Sequence, residues 1–62
     1  MEEMLIMKID GVVLMRRKIF NNIPNTDNFV FINKNNYKVI NVVFDYDNYT
    51  IKVYVEPSFF NV

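Results

Sequence analysis

The sequence predicts an all-β domain of five short antiparallel strands, built from two hairpins and closed into a small barrel or bent into a meander sheet. Three observations carry this. Tyr37 to Glu56, YKVINVVFDYDNYTIKVYVE, folds back on itself with matched faces. With Asp47-Asn48 at the centre of a tight turn, Tyr46 faces Tyr49, Phe44 faces Ile51, Val42 faces Val53 and Ile40 faces Val55, every pair apolar. The alternate pairs, Asp45 with Thr50, Val43 with Lys52, Asn41 with Tyr54 and Val39 with Glu56, make a mixed row suited to an outer surface. Second, Asp10-Gly11 lies between two apolar runs, the strongest short hairpin signal in the chain. Third, alanine and glutamine are absent while Val, Ile, Phe and Tyr abound, an excess of strand formers over helix formers.

Taken in order, Met4 to Ile9 and Val12 to Phe20 form the first hairpin. A type I′ turn at Asp10-Gly11 pairs Ile9 with Val12, Met7 with Leu14 and Leu5 with Arg16 on the core side. Lys8 with Val13, Ile6 with Met15 and Met4 with Arg17 then form a partly apolar second side that needs a cover. Met1, Met4 and Met7 are all candidate starts, which makes 1–6 an N-terminal extension of a single domain spanning 1–62. Asn21 to Asn28, NNIPNTDN, loses the pattern and reads as a loop or one turn of helix from Pro24. Asn28 to Asn33 is a short strand, and Lys34-Asn35-Asn36 turns the chain into Tyr37. A two- or four-residue loop puts Phe29 and Phe31 on the side of Ile40, the arrangement adopted here, and a three-residue bulged loop puts Val30 and Ile32 there. Asparagine supplies the turns in a chain with one glycine, and residues 57–62 form a tail. Such a strand set fits an SH3-like barrel or a bent meander, with a two-layer sheet completed by dimerisation as the rival.

A 62-residue domain buries only about 60% of its unfolded surface, so its core is marginal. Neither cysteine nor histidine occurs, so disulfides and structural zinc are excluded as staples. Self-association remains, and 52% hydrophobic residues supply surface for it, so a homo-oligomer, most simply a homodimer, is expected. Seven basic and seven acidic residues cancel, leaving no general attraction for nucleic acid. The start is acidic and interrupted by Lys8 and Asp10, unlike a signal peptide, and no apolar run nears the roughly 20 residues that span a bilayer. A soluble, cytoplasmic protein without cofactors is the expectation.

Without His or Cys the usual proton-transfer groups and nucleophiles are missing, which argues against an enzyme. Asp45, Asp47 and Asn48 could hold a hard cation, but a hairpin turn selects the same residues, and no metal site is assigned. Arg16, Arg17 and Lys18, with Lys8 across the hairpin, are the cationic cluster, either a guarded strand end or a phosphate contact. With Tyr37, Tyr54 and Phe20 as stacking platforms they would make a nucleic-acid-binding barrel. The outer row Asn41, Val43, Lys52 and Tyr54 mixes an aromatic anchor with small apolar residues and isolated charges, the composition of a protein interface. Phe59 and Phe60 in the tail either cap their own barrel or insert into a neighbour.

The segment from Pro24 to Glu56, with a proline, an acidic turn, a short strand, Tyr-x-Val and a closing hairpin, resembles the SH3-like pattern of small phage-encoded accessory proteins. Asp27-Asn28 replaces the Gly-Asp usual before the short strand. Among such proteins the chain resembles the small inhibitors of the Hachiman helicase–nuclease defence system. That likeness implies a phage protein acting in the host cytoplasm by stoichiometric binding to a host antiviral protein, with no catalysis. A small nucleic-acid-binding barrel and a structural phage component are the alternatives.

Overall fold

The computed structural model describes residues 2–18 and 22–59. It has five strands, β1 (Glu3–Lys8), β2 (Val13–Lys18), β3 (Phe29–Ile32), β4 (Asn35–Asp45) and β5 (Thr50–Pro57). They form one sheet in the order β2-β1-β5-β4-β3, curled into a half-barrel, and the described residues include no helix. The sheet is mixed, which corrects the wholly antiparallel expectation: β1 runs parallel to β5, from Glu3 beside Thr50 to Lys8 beside Val55. Met4 to Met7 contains no polar residue, and an unbroken apolar run suits an interior strand with neighbours on both sides. β1 takes in residues 3–6, where the sequence suggests an extension, and Ile6 is 2% exposed.

Ile6, Ile32, Val39, Ile51, Val53 and Val55 are the buried core, with Met4, Leu14, Met15, Ile23, Val30, Tyr37 and Val42 packed around it. The first hairpin keeps the expected partners Met4–Arg17, Leu5–Arg16 and Ile6–Met15, but its inner and outer sides are exchanged. The parallel partner decides this. Ile6 lies beside Val53 and Met4 beside Ile51, so β1 presents those residues to the layer that β5 buries. An irregularity after Ile6 sets Met7 opposite Val13 instead of Leu14. The loop holds three residues, with Lys8 N–H donating to Val12 O and Gly11 N–H to Lys8 O, both at 2.9 Å. Gly11 occupies φ 94°, and a three-residue loop with glycine at the left-handed position replaces the two-residue turn.

Asn25 to Asn28 is a turn and not the start of a helix. Asn28 N–H donates to Asn25 O at 3.0 Å, Asn25 N–H donates to Asn28 Oδ1 at 2.8 Å, and Asp27 takes φ 74°. The turn from β3 to β4 is the two residues Asn33-Lys34, at φ 51° and 67°, in place of Lys34-Asn35-Asn36. Phe29 and Phe31 do share a side with Ile40, yet that side faces outward; Val30 and Ile32 face the core.

The cause lies in β4. Its pairing with β5 follows the expected register from Asp45–Thr50 to Asn41–Tyr54, then shifts by one residue. Val39 instead of Ile40 faces Val55, and both valines are fully buried. The Asn25–Asn28 turn docks on this point, since Asp27 N–H donates to Val39 O at 2.9 Å and Val39 N–H to Asn28 O at 2.8 Å. One extra residue in a strand exchanges the faces beyond it.

Candidate partner-docking face

The shift in β4 builds an apolar surface feature. It turns Ile40 outward beside Asn41, and together with Ile9, Val43 and Tyr54 these residues line a depression of about 350 Å³. Val43 and Tyr54 reach it by strand alternation, and Ile9 by its place in the β1–β2 loop, where it is 66% exposed. An aromatic flanked by aliphatic side chains and one amide has the chemistry of a recognition surface more than of a reaction site. Of the residues read from the sequence as partner-contacting, Asn41, Val43, Lys52 and Tyr54 are brought together on this face.

Lys52 is partly committed elsewhere. Its Nζ lies 3.3 Å from the Asp45 carboxylate, which also organises the β4–β5 loop. Asp45 Oδ1 accepts from Asp47 N–H at 3.0 Å and Asn48 N–H at 3.1 Å, and Oδ2 accepts from the Asn48 side-chain amide at 3.0 Å. The Asn48 amide first, then the Asn48 N–H, with smaller help from Lys52 and the Asp47 N–H, hold the Asp45 carboxyl at about 2, against an ordinary 3.8. These contacts give the carboxylate a structural task. Among the described residues no group of three or more His, Cys, Asp or Glu is placed to hold a metal ion.

The same loop corrects the expected turn. Asp45–Thr50 is the last strand pair, so Tyr46 to Tyr49 form a four-residue loop, with Tyr49 at φ 54°. Phe44, Tyr46 and Tyr49, expected in the inner row, are 52%, 76% and 62% exposed. β3 pairs only with Asn35 to Lys38 of the eleven-residue β4, so the hairpin tip extends past β3. Sequence reasoning missed this aromatic tip, although a four-residue run before a far longer one was the signal.

The remaining candidates do not converge. Phe59 is 97% exposed beyond Ser58 and borders a separate depression with Lys8, Asn36 and Tyr37, so it does not cap the barrel; Phe60 lies outside the described residues. Arg16 Nε lies 3.8 Å from Glu3 Oε1, and Arg17 Nη1 donates to Arg16 O at 3.1 Å. Lys8 stands at the other end of the hairpin, 3.9 Å from Asp10, so it does not join Arg16, Arg17 and Lys18 in one patch. Tyr37 packs on the core, on the face opposite Tyr54, and Phe20 lies outside the described residues. Among the described residues no helix is long and apolar enough to cross a membrane. Compared with known proteins, the chain matches no family model, no curated protein and no solved structure.

Proposed function

We propose that the chain is a non-enzymatic binding protein, a homodimeric phage accessory protein of SH3-like type that acts in the host cytoplasm. It blocks a larger host antiviral protein by stoichiometric occupation of its surface. The observation that carries this reading is the outward depression of Ile9, Ile40, Asn41, Val43 and Tyr54, which leaves aliphatic and aromatic surface uncovered on a small domain. A chain without His or Cys supports binding over catalysis. The test is affinity capture from a bacterial lysate with wild-type and Val43→Asp baits. Val43 is 44% exposed, so the variant keeps its fold while the new carboxylate meets the docking face. A host protein held at fixed stoichiometry by the wild type and lost by Val43→Asp is the expected result. Capture of nothing, together with a strictly monomeric chain at micromolar concentration, would end the reading.

A further inference from the structure

The half-barrel leaves a gap between its two edges. Among the described residues β2 pairs only with β1 and β3 only with β4, so both are edge strands of the sheet. The curl brings these edges to a shared depression of about 400 Å³, with Leu14, Met15, Arg16 and Arg17 on one wall and Phe31, Ile32 and Asn33 on the other. Leu14 and Met15 pack against the core to which Ile32 belongs, so the inner side of the gap is apolar. Facing strand edges are a template for one more strand, whose main chain can bond to both.

We propose that this gap takes an extended acidic segment of a partner protein, which enters as a strand between β2 and β3 with apolar and acidic residues in alternation. The charge pattern selects that occupant. On β2, Met15 and Arg17 share a face with Ile6 and Met4, toward the core, while Arg16 and Lys18 share the outer face with Leu5 and Glu3. An entering strand with apolar side chains inward meets Leu14, Met15 and Ile32, and its outward carboxylates meet Arg16 and Lys18. The Arg16–Glu3 contact at 3.8 Å, with the arginine side chain 63% exposed, is a weak competitor for those carboxylates. The Arg16 carbonyl is satisfied by the exposed Arg17 side chain, which an incoming amide can replace. A second copy of β2 brings cations and no carboxylate to the gap, so it leaves Arg16 and Lys18 without an opposite charge. The proposal is separate from the Tyr54 face and stands or falls without it.

The test is fluorescence anisotropy of a labelled eight-residue peptide of alternating Glu and Val, titrated with the full chain. Saturable binding is expected. It should weaken at least about tenfold in the double variant Arg16→Glu with Lys18→Glu, and by as much when alternate peptide amides are N-methylated, since N-methylation removes strand pairing and leaves charge intact. A Lys/Val peptide should not bind, and Tyr54→Ala should bind the Glu/Val peptide as the wild type does. Circular dichroism verifies that each variant is folded. Three results would overturn the proposal. One is no binding up to millimolar protein, as when a second copy fills the gap. The others are indifference to N-methylation and equal binding of oligothymidylate.

Discussion

Exchanging which of two adjacent residues is buried gives the sharpest test of the register in β4. Val39 is fully buried opposite Val55, while Ile40 is half-buried and faces the outer depression. Val39→Ala removes two carbons from the core, about 1.6 kcal/mol of transfer free energy at about 0.8 kcal/mol per carbon. The cavity left behind raises the total to about 2–3 kcal/mol. Ile40→Ala removes three carbons from a site that keeps much of its solvent contact, so it should cost only about 1 kcal/mol. For a domain of this size each kcal/mol moves the melting midpoint by about 4–8 °C, so Val39→Ala should melt about 10–20 °C below wild type and Ile40→Ala about 5 °C below. Thermal unfolding followed by circular dichroism, at one protein concentration for all variants, reads both. Uninterrupted alternation predicts the reverse order, with Ile40 inside opposite Val55. A larger loss for Ile40→Ala would refute the bulge.

The lowered Asp45 carboxyl should show in the acid limb of stability. Its folded value of about 2 lies below the ordinary 3.8, so its contribution is full above roughly pH 4, fades as pH falls through 2, and is absent below. The stability difference between wild type and Asp45→Ala should shrink across that window; a difference constant from pH 5 to pH 2 would contradict it. Lys34 sits at φ 67° in a two-residue turn that favours Asn-Gly, so Lys34→Gly should raise stability by about 0.5–1 kcal/mol in urea unfolding, and a loss would count against the turn geometry. Thr50 Oγ1 is buried with no hydrogen-bond partner among the described residues. Thr50→Val should therefore stabilise by about 1 kcal/mol, and a destabilisation of that size would show the hydroxyl to be paired.

The all-β class and the partners of both long hairpins were legible because they rest on alternation within contiguous segments, as in Phe44 with Ile51 or Ile6 with Met15. What could not be read depends on contacts between segments distant in sequence. The β1–β5 pairing has no local signal, and it alone selects Ile6 over Leu5 for the core. The extra residue at Ile40 is set by the Asn25–Asn28 turn docking on Val39, which no periodicity within β4 reveals. Asn41, Val43, Lys52 and Tyr54 were legible as one face because they precede that shift; Ile40 and Ile9, which complete the depression, were not. Phe44 keeps its predicted partner Ile51 and loses its predicted burial, since alternation gives direction but not the extent of a neighbouring strand.

Calorimetric titration of the captured host protein with wild-type chain and with Tyr54→Ala bears most directly on the outer face as the functional surface. Tyr54 is a half-buried aromatic in the depression, the kind of anchor whose truncation typically costs about 2 kcal/mol or more of binding. The account predicts fixed stoichiometry and at least about thirtyfold weaker binding by a variant that still folds. Unchanged affinity in a folded Tyr54→Ala chain would contradict it.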